Sequence, residues 1–132
     1  MTRRFRHLLL ALLPFLPLAC GGGSEQPKTY PVSGTVTLDG KPIAEGRIAF
    51  RGKDHPATGG VISNGKFECQ SHPGPMTVEI RAFKSVKRQT PVAGMSDTEE
   101  VNYIPVEYNS ESKLKADIAT GPTVVDFAIT SR

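Results

Sequence analysis

The sequence predicts an all-β domain of about seven strands arranged as a β-sandwich. Short runs in which apolar and polar residues alternate recur along the chain, separated by turn residues. The 132 residues include 13 glycines and 11 prolines, a composition that suits a loop-rich β domain and disfavours a helical bundle. No run has a sustained helical period. The length is enough for one such domain and too short for two well-packed ones.

Residues 1–20 are predicted to be a lipoprotein signal peptide. A basic start precedes an apolar run, Leu8–Leu18, which is too short to cross a bilayer. The small residue Ala19 then precedes Cys20. This end resembles the lipobox of bacterial lipoproteins, in which the cysteine is diacylated and becomes the new N-terminus, although Pro17 stands where the lipobox has leucine. The resemblance implies lipidation at Cys20 and a protein anchored to the cell membrane outside the cytoplasm, in the periplasm or at the cell surface. The alternative is an ordinary signal peptide.

The basic character of the chain belongs to this leader. Of its 16 lysines and arginines, Arg3, Arg4 and Arg6 lie in the first six residues, which leaves 13 against 13 aspartates and glutamates. A neutral segment with few aromatic residues argues against a nucleic-acid partner. Residues 21–29 are rich in glycine and polar residues and are predicted to be a flexible tether. The folded domain is predicted over residues 30–132.

The first strands of the domain are predicted to form a hairpin over Val32–Arg51. Its turn is Asp39–Pro42, because glycine accepts the positive φ of a reversal and proline cannot donate to a ladder. We expect Gly52–Gly60 to be a loop. Asn64-Gly65 predicts a second reversal, because both residues tolerate left-handed backbone angles.

Later strands are predicted by the same two-residue period. Tyr103–Asn109 is expected to be a turn that packs an aromatic ring against the sheet. The side chains expected to face inward are Val32, Val36, Leu38, Ile48, Phe50, Phe67, Cys69, Met76, Val78, Ile80, Ala82, Leu114, Ala116, Ile118, Val125, Phe127 and Ile129.

Residues Lys84–Asn102 show no alternation and are predicted to form a long polar loop. Long loops in compact domains are often functional, so we place the candidate interaction residues here. A basic patch could contact an anionic envelope polymer, and an acidic cluster with Asn102 could bind calcium. The alternative in both cases is solvated loop charge. The candidates are Lys84, Lys87, Arg88, Asp97, Glu99 and Glu100.

From Val32 to the closing strands, the order of the turns resembles the transthyretin-like, carboxypeptidase-regulatory-like domain of small secreted bacterial lipoproteins of the planctomycete type. Its features here are the opening hairpin, the Asn64-Gly65 turn, the strand after Pro75 and the Ile104–Asn109 segment. The resemblance implies a seven-stranded Greek-key β-sandwich and no defined activity. One branch of the fold hydrolyses hydroxyisourate with paired histidines and an arginine, but its closing Tyr-Arg-Gly-Ser motif is missing here.

No motif in the sequence predicts catalysis, a cofactor or a metal. His55 and His72 lack ligands at a useful spacing and are predicted to be solvated turn residues. Cys69 is predicted to be a small buried hydrophobe, with a disulfide to Cys20 as the competing idea.

The expected function is therefore a membrane-anchored, non-catalytic binding or structural module of the cell envelope, with an envelope protein or glycan as the possible partner. An accessory domain that binds carbohydrate or peptide is the alternative, and it requires exposed aromatic rings. The candidate rings are Tyr30, Phe83, Tyr103 and Tyr108. A hydroxyisourate hydrolase is the third and least favoured hypothesis.

Overall fold

The computed structural model describes residues 25–132, so the predicted signal peptide, Cys20 and the first part of the tether lie outside the described residues. Within them the chain is all-β, with one short 3-10 helix at Val106–Tyr108. The predicted all-β class is confirmed, while the seven-stranded Greek-key transthyretin-like sandwich stays a prediction. The strands are β1 (Tyr30–Leu38), β2 (Lys41–Pro42), β3 (Glu45–Arg51), β4 (Thr58–Ser63), β5 (Lys66–Ser71), β6 (Gly74–Arg81), β7 (Phe83–Lys87), β8 (Thr98–Asn102), β9 (Lys115–Ile118), β10 (Thr123–Val124) and β11 (Phe127–Ile129).

Nine of these strands form one curled sheet, and β7 with β8 forms a separate hairpin. The main path of the sheet runs β10-β1-β5-β4-β3-β6-β9, with β2 and β11 also paired to β1. All pairs are antiparallel except those of β1 with β10 and β11, which are parallel. Buried side chains from both ends of the path belong to a single cluster, so the sheet curls around one core.

The opening hairpin is shorter than predicted. Its turn has the left-handed backbone expected, with φ of 52° at Asp39 and 78° at Gly40, but only Lys41–Pro42 returns beside β1. The Ile43 N–H still donates to the carbonyl oxygen of Val36 at 3.2 Å, but the Ile43 carbonyl accepts from Gly65 N–H at 2.7 Å. The Ile43 side chain inserts into the core with 2% exposure, so the chain leaves β1 after this residue. Strand β3 then lies between β4 and β6, and the long partner of β1 is β5.

The prediction of a loop over Lys84–Asn102 is wrong at both ends and confirmed only for residues 88–97. Strands β7 and β8 pair along their whole length, from Phe83 opposite Asn102 to Lys87 opposite Thr98. No apolar alternation marks these strands, because both of their faces carry polar side chains. The predicted loop Gly52–Gly60 is likewise shorter, since β4 already begins at Thr58.

The predicted inward face is confirmed for most positions. Tyr103, before the 3-10 helix, and Tyr108, within it, also pack against the core, as expected of the turn over Tyr103–Asn109. The predicted residues that are buried are Val32, Val36, Ile48, Phe50, Phe67, Met76, Val78, Ile80, Ala82, Ala116, Ile118, Phe127 and Ile129, and those that are half-buried against the same core are Leu38, Cys69, Leu114 and Val125.

Candidate functional site

The predicted interaction residues lie on the β7–β8 hairpin and its loop, but they do not share one face. Residues directly opposite in an antiparallel pair lie on the same face. Glu99 is opposite Val86, while Glu100 is opposite Ser85, so these two carboxylates point to opposite sides. Lys84 lies on the Glu99 side, and Lys87 lies on the Glu100 side. The hairpin thus presents two different surfaces.

Arg88 closes the loop at the end of the hairpin. Its guanidinium Nη1 lies 3.3 Å from Glu99 Oε2, and its backbone N–H donates to the carbonyl oxygen of Asp97 at 2.7 Å. The guanidinium also donates to the carbonyl oxygens of Ser96 and Thr98, at 3.4 Å each. The charged groups of Arg88 and Glu99 therefore bind other groups of the hairpin and not an external partner, which agrees with the alternative of ordinary loop charge.

The possible calcium cluster does not assemble. Asn102 Oδ1 accepts hydrogen bonds from the backbone N–H groups of Ala82, at 3.3 Å, and Ile104, at 3.1 Å. Glu100 accepts a hydrogen bond from the Ser85 hydroxyl. Among residues 25–132 no group of three or more potential metal ligands converges.

Three residues lie where the hairpin leaves the sheet, and we call Phe83, Lys84 and Tyr103 the hairpin platform. Phe83 and Lys84 are consecutive on β7 and so lie on opposite faces of the hairpin, with Tyr103 on the Lys84 side. The Phe83 side chain is 51% exposed, and Lys84 Nζ lies 5.9 Å from the centre of the Tyr103 ring. The platform borders an open depression of about 700 Å³ that also includes Glu45 and Asn64. Aromatic faces combined with charged and amide groups are suited to polar ligands that have an apolar side.

The other two candidate rings contribute less. Tyr30 and Tyr108 are half-buried, and the Tyr108 hydroxyl lies 3.4 Å from Thr130 Oγ1. Phe83 is therefore the one candidate ring of the four that is exposed.

The two histidines, predicted to be solvated, are in contact with each other. The rings of His55 and His72 are 4.5 Å apart between centroids and inclined at 32°. His72 is only 6% exposed, so the prediction is wrong for this residue. The carbonyl oxygen of Lys28 lies 3.4 Å from His72 Nδ1, because the end of the predicted tether passes over the ring. No local sequence pattern predicts the contact between Lys28 and His72, because these two residues are 44 positions apart in the chain.

Cys69 faces inward from β5, as predicted, and is half-buried against the core. Burial raises the pKa of its thiol. The nucleophilic thiolate is correspondingly scarcer at neutral pH, which suits a packing role. The competing disulfide involves Cys20, which lies outside the described residues.

A second charged surface, which the sequence analysis missed, lies on the outer face of β3 and β6. Arg47 stands directly opposite Arg81. Glu79 lies beside them and pairs with Arg51, whose Nε is 2.9 Å from its Oε1, and with Arg81, whose Nη2 is 3.4 Å from its Oε2. Alternation places Arg47 and Arg51 on one side of β3, but only the strand order brings Arg81 to them.

Comparisons with known proteins add a distant likeness to two crystal structures. No family model matches the chain, and no curated protein matches it. A DUF3823 family protein from Parabacteroides merdae is similar at 11% identity and a TM-score of 0.40, over 78% of this chain and 46% of that one. A 9R-lipoxygenase from Cyanothece is similar at 14% identity and a TM-score of 0.40, over 77% of this chain and 16% of that one. The chain thus spans less than half the length of either protein.

Helices long and apolar enough to span a membrane are absent from the part of the chain that the structure describes.

Proposed function

We propose that the protein is an extracytoplasmic lipoprotein, anchored to the cell membrane through Cys20, whose domain is a non-catalytic binding module of the cell envelope. The leader and its lipobox-like end support the anchor. The seven strands in the main path of the sheet support the proposed transthyretin-like β-sandwich. The partner is an envelope glycan or protein that docks on the hairpin platform.

The observation that carries the binding role is the exposure of Phe83 beside the Lys84–Tyr103 contact. A phenylalanine that is 51% exposed leaves apolar area in water that a ligand would cover. The Tyr103 ring is fixed by its packing against the core, and Lys84 supplies a charge at its face. A sugar ring or a peptide side chain can stack on one of these rings while its polar groups reach Glu45 and Asn64, which border the same depression.

Lipid anchoring is tested by mass and by partition. In a lipoprotein-competent bacterial host, we expect the wild-type protein to have the mass of a diacylated chain that begins at Cys20 and to enter the detergent phase of Triton X-114. The Cys20→Ala variant should remain in the aqueous phase or keep its leader. A wild-type protein that is cleaved but not acylated would contradict the anchor and favour the ordinary signal peptide.

Binding at the hairpin platform is tested with envelope glycan purified from the producing cells. We expect the detergent-solubilised protein to co-sediment with the insoluble glycan, and the Phe83→Ala variant to lose at least about tenfold in affinity, because a stacking ring in a binding centre contributes about 2 kcal/mol or more. The matched control is Val106→Ala, since Val106 is 59% exposed and lies outside the platform. Equal binding by Phe83→Ala and wild type would place the contact elsewhere.

A hydrolase of the hydroxyisourate type is the second candidate, and the contact between His55 and His72 favours it. The burial of His72 and its contact with the Lys28 carbonyl leave little of that ring for a substrate. We expect no turnover of hydroxyisourate by the purified protein. Turnover that His72→Ala abolishes would replace the non-catalytic proposal.

A further inference from the structure

A row of cations crosses the outer face of the sheet, and we call Arg47, Arg51, Arg81 and Lys115 the basic stripe. Arg47 lies opposite Arg81 on neighbouring strands. Arg51 lies opposite Thr77, which in turn lies opposite Lys115 on β9. Lys115 Nζ donates to Thr77 Oγ1 at 2.6 Å, so its ammonium group is held on this face.

The stripe has an excess of positive charge. Glu79, the carboxylate that pairs with the stripe, has a side chain that is 12% exposed and divides its two oxygens between Arg51 and Arg81. Glu45 and Asp117 lie on the same face, each two residues from a stripe cation, but neither forms an ion pair within residues 25–132. Arg47 makes no ion pair with any residue in the described range 25–132. Because the chain after the leader is formally neutral, this local excess is produced by the strand order and not by composition.

The pair of Arg47 and Arg81 is unfavourable by itself. Like charges directly opposite in an antiparallel pair repel each other. An anion between the two guanidinium groups would turn this repulsion into two attractive contacts. The Arg47–Arg81 pair is therefore an arrangement that a bound anion would stabilise.

The surface between these cations is a shallow depression, because the residues there have small side chains or none. Ala49 and Gly59 are opposite each other on β3 and β4, and they line a depression of about 420 Å³ together with Arg47, Arg51 and Arg81. A Cβ on Gly59 would lie 2.1 Å from the carbonyl oxygen of Ile48, so the close approach of β3 and β4 requires glycine here. The result is a shallow trench whose walls carry guanidinium groups, within the size range of ligand sites.

We propose that this trench and the basic stripe bind a linear acidic polysaccharide through its carboxylate groups. The planar guanidinium fork matches a carboxylate with two parallel hydrogen bonds. Arg47 and Arg51 are four residues apart on an extended strand, about 13 Å, so the cations are spaced for repeated charges along a polymer and not for one small anion. The trench has no aromatic lining residue on which bases could stack, which disfavours single-stranded nucleic acid.

The inference rests on the proposed extracytoplasmic location, since acidic polysaccharides belong to the cell exterior. It concerns a surface other than the hairpin platform, so the two proposals can fail separately.

The test uses the full lipidated protein in detergent and a fluorescently labelled alginate oligosaccharide, a linear polyuronate, followed by fluorescence anisotropy at low salt. We expect saturable binding that weakens as salt is added, and no binding of labelled dextran of the same length. The double variant Arg47→Ala/Arg81→Ala should bind at least about tenfold more weakly, because two charge-assisted hydrogen-bonding groups are removed. Its unfolding midpoint should change little, because the double variant removes both the repulsion between the two arginines and the ion pair of Arg81 with Glu79.

The matched control is Lys28→Ala/Lys41→Ala, which removes the same two charges from exposed positions outside the stripe. It should bind like wild type. Equal weakening of both double variants would show a dependence on net charge alone and would overturn the site. Tighter binding of labelled poly-glutamate than of alginate would overturn the choice of a polysaccharide in favour of an acidic peptide.

Failure of this inference and failure of the proposed function give different results. If wild type does not bind alginate but still binds purified envelope glycan in a Phe83-dependent manner, the stripe proposal fails and the hairpin platform stands. If alginate binds and Phe83→Ala has no effect on envelope glycan, the platform fails and the stripe stands.

Discussion

Replacing Phe50 with alanine is expected to lower the free energy of unfolding by about 3–5 kcal/mol, the range for a large aromatic side chain removed from a closed core. Phe50 is fully buried. Its ring centre lies 6.1 Å from that of Phe67, which lies 6.4 Å from that of Phe127, so these rings join β3, β5 and β11 through the middle of the core. The loss is a large share of the total stability of a small domain, which is about 5–15 kcal/mol. Urea unfolding of the purified protein measures it.

The matched control for this substitution is Phe83→Ala, which removes the same side chain from a position that is 51% exposed. We expect it to cost less than about 1 kcal/mol, as for most changes at exposed positions. Similar losses at the two sites would mean that the hairpin belongs to the core, contrary to the packing described above.

Replacing Gly34 with alanine is expected to cost about 3 kcal/mol or more, at the upper end of the range for overpacked sites. A Cβ at this position would lie 1.7 Å from the carbonyl oxygen of Val125. The oxygen cannot easily move away, because the Val125 N–H donates to the carbonyl oxygen of Ser33 at 2.9 Å. Asp126 Oδ1 also accepts hydrogen bonds from the backbone N–H and the hydroxyl of Thr35, at 2.9 Å each. Thermal unfolding followed by circular dichroism measures the loss.

Gly121→Ala is the control for the effect of glycine itself. A Cβ on Gly121 would have no neighbour within 4 Å, and its φ does not lie in the left-handed region. This variant should be neutral or slightly stabilising, because alanine restricts the unfolded chain more than glycine does. A stable Gly34→Ala variant would mean that the closing segment can detach from β1 at little cost.

The two-residue period was sufficient to predict which side chains enter the core. Burial of one face of a strand makes apolar and polar residues alternate along the sequence. Phe50, Val78 and Ile129 were all placed correctly by alternation alone. Strand pairing was not predictable in this way: the separation of β3 from β1 depends on the insertion of Ile43 and on the pairing of β3 with β6. The β7–β8 hairpin was missed because its strands have polar residues on both faces and no core to register them.

The candidate site was predictable only in part. The charged residues of Lys84–Glu100 and the rings of Phe83 and Tyr103 were named from the sequence, but their division between two faces needed the pairing register. The basic stripe was missed because its members come from three strands that are not consecutive in the chain. A glycine inside a strand is a sequence signal of close backbone approach, and it could have pointed to both Gly34 and Gly59.

The position of β1 also has a mechanical consequence. The chain passes from the proposed tether directly into β1, which is hydrogen-bonded to β5 on one side and to β10 and β11 on the other. A pull on the tether acts along the axis of this strand, so it loads these rows of hydrogen bonds together, in shear. A peripheral strand would instead be peeled away one bond at a time. A lipid-anchored domain that is bound to an envelope polymer would therefore resist mechanical unfolding when force is applied through its tether.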